Sequence, residues 1–136
     1  MLISYVSFVD KYLTYGQVYM MIVESMVRNE ICEDMRKNYF YRLTKDKVSL
    51  ELGQATMEVQ SYGIEIERQD ILNNSIVNIE RESVKSISPH RHKVHNLLKL
   101  LYNHCVSQVH LIDVLGDYID EYIVDFDEAL KEIATY

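Results

Sequence analysis

In MEVQSYGIEIER, residues 57–68, apolar and polar side chains alternate along most of the segment. A period of two residues is typical of a β-strand that turns one face to a core and the other to water. Gly63 interrupts the alternation and indicates a bulge or a close approach of another backbone. Glu65 and Glu67 share one face and could imitate a catalytic carboxylate pair, but the pattern favours a solvated strand face.

Strand-like segments lie on both sides of this stretch. Residues 20–31 fit either a helix or a strand, and a strand is favoured because Glu33-Asp34 can turn the chain into the next segment. Aromatic or alternating patterns predict further strands over residues 39–43, 48–52 and 76–80. Turns are predicted at three further places, which are the polar run 45–47, Gly53 and Asn73-Asn74. The sequence therefore predicts an antiparallel sheet of three to five strands over about 20–81.

At Ser88-Pro89 the period changes from two residues to three and four. Serine at the cap with proline at the first helical position is a helix-start signal. Apolar stripes then predict helices over about 89–105 and 108–134. Because their connection is very short, we expect an αα-hairpin after the sheet. Strands followed by a helix pair indicate the α+β class, with one domain over residues 20–136.

Residues 1–19 are rich in apolar side chains whose spacing predicts an apolar helical extension that needs a packing partner. Asp10-Lys11 and Gly16-Gln17 interrupt the run, which is too short for a membrane-spanning helix and lacks a signal-peptide pattern. An alternative is that translation starts at Met20, Met21 or Met26.

The composition is that of an ordinary globular protein, with 136 residues, 48% hydrophobic and 26% charged. Its net charge of −7 argues against a general binder of nucleic acid or of anionic membranes. The cysteines, Cys32 and Cys105, form no metal-type or redox-type pair and are interpreted as reduced thiols in a cytoplasmic protein. Cys105 falls on an apolar stripe, which predicts a buried and inert thiol.

The net charge is concentrated in the last helical segment. Residues 107–136 contain eight acidic residues and Lys131 as the one base, so they carry the whole −7. Residues 83–106 contain no acidic residue but four Lys or Arg and four of the five histidines. Either the two helices neutralise each other within the chain, or an acidic face binds a basic protein partner. In the second interpretation the partner-binding residues are Asp113, Asp117, Asp120 and Glu121.

His92 and His95, at positions i and i+3, are weak candidates for metal ligands, with carboxylates of the sheet completing the site. Arg91 and Lys93 argue against a cation there, and no H-E-x-x-H, P-loop, G-x-S-x-G or G-x-G-x-x-G motif occurs. No catalytic residue, cofactor or small-molecule ligand is indicated. We therefore expect a small non-enzymatic interaction or regulatory protein, with a protein partner or self-association. The alternative is a metal-dependent enzyme or metal sensor.

Three segments together resemble a known family. They are residues 62–68 (YGIEIER), 87–91 (ISPHR) and 106–116 (VSQVHLIDVLG). They are similar to the DUF6514 type of small uncharacterised proteins of clostridia and related Firmicutes, over about residues 21–127. The resemblance implies a bacterial cytosolic setting and carries no catalytic residue. Gln108 departs from the proline expected after Ser107, and this change leaves the helix start intact.

Overall fold

The computed structural model describes residues 2–4, 12–15 and 18–134 of the chain. Two short strands come first, four long strands follow, and two helices end the described chain. The elements are β1 (Leu2–Ser4), β2 (Tyr12–Tyr15), β3 (Val18–Cys32), β4 (Met35–Leu52), β5 (Ala55–Leu72), β6 (Ser75–Ser88), α1 (Arg91–Asn103) and α2 (Leu111–Ala134). A single 3₁₀ turn, Gln108–His110, leads into α2.

The strands form one antiparallel sheet in the order β1-β3-β4-β5-β6, and β2 also pairs with β3. The segment 20–31 is thus a strand, as favoured from the sequence. The predicted turns at Glu33-Asp34, Gly53 and Asn73-Asn74 are confirmed, and both asparagines adopt the positive φ (51° and 64°) of a tight hairpin. The turn predicted at residues 45–47 is wrong, because this run lies inside β4 and pairs with β5.

Gly63 marks a bulge, as its sequence context predicted. Tyr62 pairs with Ser88 and Ile64 with Val84, so three residues of β6 oppose Gly63 alone. A Cβ atom at Gly63 would stand 2.2 Å from the carbonyl oxygens of Val84 and Lys85. Only glycine lets the two backbones approach this closely.

The core lies between one face of the sheet and the two helices. It combines strand side chains such as Tyr41 and Ile64 with Leu98 of α1 and Leu115 of α2, all fully buried. This confirms the α+β class. Each helix packs its apolar side on the sheet, and the αα-hairpin predicted for residues 89–134 is not shown as a unit.

The ends of α1 differ slightly from the prediction. The helix begins at Arg91 rather than at residue 89, and the buried Ser88 hydroxyl accepts a hydrogen bond from the His90 N–H at 3.1 Å. At the other end, the Val106 N–H donates to the Leu101 carbonyl at 3.0 Å and Cys105 has φ 53°, which is a Schellman ending. Cys105 is exposed, so the prediction of a buried thiol is wrong: the helix ends before the stripe reaches it.

The apolar helical extension predicted over residues 1–19 is not shown. The described parts, Leu2–Ser4 and Tyr12–Tyr15, are strands paired with β3, and the rest lies outside the described residues. Aromatic and β-branched side chains dominate here, and they favour strands when a neighbouring edge is available for pairing. When apolar residues occupy nearly every position, the pattern does not distinguish the helical period of 3.6 residues from the strand period of two.

Candidate functional site

The outer side of α2 carries the acidic residues singled out from the sequence. Asp113, Asp117, Asp120 and Glu121 are all exposed. Their spacing of three and four residues places them along one face of the helix. Leu111 and Leu115 anchor the opposite face in the core. Within the described part of the chain, none of the four acids has a hydrogen bond or an ion pair.

Large apolar side chains are exposed beside the acids on the same helix. Ile123 is 61% exposed, Val124 is 51% exposed, and Ile112 in the first turn is also open to solvent. The outer side of α2 therefore combines negative charge with apolar contact area. This combination suits an amphipathic partner better than a small ion, because apolar area contributes affinity and charge contributes orientation.

Three basic residues of α1, Arg91, Lys93 and His95, contact acidic partners elsewhere in the molecule. Arg91 Nη2 lies 3.6 Å from Glu24 Oε1, and His95 Nδ1 lies 2.9 Å from Glu24 Oε2. Lys93 Nζ donates to both carboxylate oxygens of Asp125, at 3.0 and 2.8 Å. Neutralisation within the chain thus uses Glu24 on β3 and Asp125 on α2. It does not use the four acids on the outer side of α2.

The sequence did not lead us to expect that Asp125 differs in burial from the other acidic residues of α2. It is buried, and it accepts hydrogen bonds from Lys93 and from the Ser88 hydroxyl, the latter at 3.0 Å. Burial by itself would raise the pKa of this carboxyl, but the hydrogen bonds from Lys93 and Ser88 bring the pKa below its ordinary value. The signal was available, because Asp125 is three residues beyond Tyr122 and continues the inward stripe.

A cleft of about 560 Å³ lies at the start of α1, lined by Glu24, Tyr62 and the histidines of residues 90–95. His95 is held by Glu24, while His92 is exposed and its ring neighbours that of His90 at 5.8 Å. Over the residues the structure describes, no three His, Cys, Asp or Glu side chains are grouped so that they could hold a metal ion. The hypothesis of metal binding by His92 and His95 stays a prediction with no assembled ligand set.

Glu65 and Glu67 are buried, so the prediction of a solvated strand face is wrong. Arg42 Nη1 on β4 lies 3.1 Å from Glu65 Oε2 and 3.2 Å from Glu67 Oε1. Arg81 on β6 adds a contact of 2.6 Å to Glu67. Burial would raise the pKa of Glu67, yet the charge and hydrogen bonds of Arg42 lower it overall. Both carboxylates serve as partners of guanidinium groups, which is a structural arrangement rather than an open acid–base pair.

The match to a family model spans nearly all of β3, then β4, β5, β6, α1 and the first part of α2. The model is that of a family of unknown function, DUF6514, and it covers residues 20–121. The chain belongs to the DUF6514 family. No curated protein and no solved structure matches the chain.

The DUF6514 match ends at Glu121, so all four acids of the outer face lie inside it and Asp125 lies beyond it. Gln108, the departure noted in the sequence, is also inside. It is buried, and its Nε2 donates to Glu80 Oε2 of β6 at 2.9 Å, which fixes the start of the 3₁₀ turn on the sheet. None of the described helices is both long and apolar enough to cross a membrane.

Proposed function

We propose that this DUF6514 protein is a small non-enzymatic interaction or regulatory protein that binds a basic protein partner through the outer side of α2. The acidic face is defined as Asp113, Asp117, Asp120 and Glu121. One observation carries the proposal: Arg91, Lys93 and His95 of α1 contact Glu24 or Asp125, while within the described residues none of the four acids has an ion pair or a hydrogen bond. Their charge is therefore available to a partner.

The partner chemistry follows from the composition of this surface. A segment with Lys or Arg on one side and apolar side chains on the other would match the acids and the neighbouring Ile123 and Val124. Each exposed ion pair contributes about 0.2–1 kcal/mol. Removing three acids should thus weaken binding by roughly 3-fold to 160-fold, and steering by the local field adds a loss of association rate.

The test compares three baits in pull-downs from native lysate, quantified by mass spectrometry. The first is the wild-type chain, and the second carries Asp113→Asn, Asp117→Asn and Asp120→Asn. The third is a matched control with Glu33→Gln, Glu51→Gln and Glu58→Gln, which removes the same charge from exposed residues at the far ends of the hairpins.

A partner of the acidic face is captured by wild type and control, is depleted with the Asp variant, and is released by moderate salt. Direct titration of that partner against the three purified baits then gives the affinity loss. If all three baits capture the same proteins in the same amounts, the acidic face is not the binding surface and the proposal fails.

A further inference from the structure

The two edges of the sheet differ. The outer side of β3 pairs with β1 and β2, whereas β6 pairs with β5, and no other strand in the described ranges lies along its outer side. Every residue from Ser75 to Glu82 is exposed. A strand in this position presents a row of outward N–H and C=O groups that can pair with another strand.

The exposed part of β6 also carries three large apolar side chains. Ile76 and Val77 are each 53% exposed and Ile79 is 46% exposed. A cleft of about 580 Å³ beside this edge is lined by Ile79, by residues 80–82, by Gln108 and by Val109, which is 68% exposed. These β-branched side chains favour a paired strand, and their clustering marks an interaction surface.

We propose that two copies of this chain pair through the outer side of β6, antiparallel, about a two-fold axis at Ile79. In this register Ile79 of one copy lies opposite Ile79 of the other, and Asn78 of each copy lies opposite Glu80 of the other. Val77 then faces Arg81, so no like charges stand opposite each other. Moving the register by two residues in one direction would set Glu80 against Glu80, which is unfavourable, and moving it in the other direction would remove the contact of Ile79 with Ile79. Self-complementarity of the strand is therefore the argument for a second copy as the occupant.

Charged residues on an edge strand usually oppose such pairing. Here their charge is largely neutralised inside each copy. Glu80 contacts Arg68 Nη2 at 2.8 Å, and Arg81 contacts Glu67 Oε1 at 2.6 Å. The β6 strands of two copies can thus approach each other without placing uncompensated charges of Glu80 and Arg81 side by side. This surface shares no residue with the acidic face, and the dimer does not depend on the proposed partner.

Light scattering after size exclusion, at about 100 µM protein, tests the dimer. Wild type should have about twice the chain mass of 16.1 kDa. Val77→Lys combined with Ile79→Lys should give monomers, since like charges would then face each other across the axis. Ile123→Lys on α2 is the matched control, an exposed aliphatic-to-lysine change away from β6 that should leave the dimer intact. A monomeric wild type, a dimeric double variant or a monomeric Ile123→Lys protein would each overturn the proposal.

Disulfide trapping tests the register independently of any folding defect in the lysine variant. In a background of Cys32→Ser and Cys105→Ser, Ile79→Cys should form an intermolecular disulfide rapidly on mild oxidation, because the residue faces its own copy. Ser75→Cys on the same strand should not, since its copy lies about 26 Å away in this register. Equal trapping at both positions, or none at residue 79, contradicts the arrangement.

Discussion

Replacing Gly63 by alanine tests the bulge that joins β5 to β6. The added Cβ would stand 2.2 Å from two backbone oxygens, and real Cβ atoms keep at least 3.0 Å. The strands must therefore separate at the bulge, which weakens two or three ladder hydrogen bonds of about 0.5–1.5 kcal/mol each. The alanine gains about 0.4–1 kcal/mol by restricting the unfolded chain. We expect a net loss of about 2 kcal/mol in the free energy of unfolding.

Gly116→Ala is the matched control for this change. A Cβ at Gly116, inside α2, meets nothing within 4 Å. Alanine should therefore stabilise the protein by about 0.5–1 kcal/mol through helix propensity alone. Urea denaturation followed by circular dichroism measures both variants. If Gly63→Ala lies within 0.5 kcal/mol of wild type, or if both variants shift stability in the same direction, the close approach at the bulge is refuted.

Three further predictions concern the helix ends and the buried polar groups. Cys105→Gly should stabilise by about 1 kcal/mol in thermal unfolding, because glycine accepts the positive φ of the Schellman position without strain; a loss would contradict that assignment. Tyr41→Phe should cost about 1–3 kcal/mol in urea denaturation, since its hydroxyl donates to the Val106 carbonyl at 2.7 Å and accepts from Arg28. Asp125→Asn should cost about 1–3 kcal/mol near pH 7. Because the folded pKa of Asp125 is lowered, its contribution is full above the unfolded value of about 4 and is lost as the pH falls below it. The variant and wild type should therefore converge in stability as the pH falls below about 4, and a difference that stays constant as the pH falls would refute the linkage.

Local chemistry was sufficient to predict the α+β class and three of the four predicted turns. Alternation in residues 57–68, the asparagine pair at 73–74 and the helix signal at Ser88-Pro89 each specify a structure without help from the rest of the chain. Some of the wrong predictions depend on contacts distant in sequence. Residues 2–4 pair with residues 25–27 of β3, more than twenty positions away, so the local pattern does not show that they form a strand.

The buried carboxylates illustrate the same limit more sharply. A two-residue turn at Gly53-Gln54 sets the register of the whole β4–β5 hairpin and places Arg42 opposite Glu65. A turn at residues 45–47 would divide this hairpin in two, so the sequence prediction did not place Arg42 beside Glu65. The contact from Arg81 to Glu67 depends in addition on the register shift between β5 and β6. Burial of acids on a strand was therefore predictable only from the register, and not from the alternation of isoleucine and glutamate.

The acids of α2 have different environments because they lie on different faces of the helix. Asp125 continues the stripe that faces the sheet, where Ser88 and Lys93 supply its hydrogen bonds. Asp117 and Asp120 lie on the side turned away from the core, where β3 and α1 supply no base. Removing the charge of Asp125 should thus affect folding, whereas removing the charges of the outer acids should affect association alone. The acids of the last segment thus include one structural carboxylate, Asp125, and the four exposed acids to which we assign the proposed binding surface.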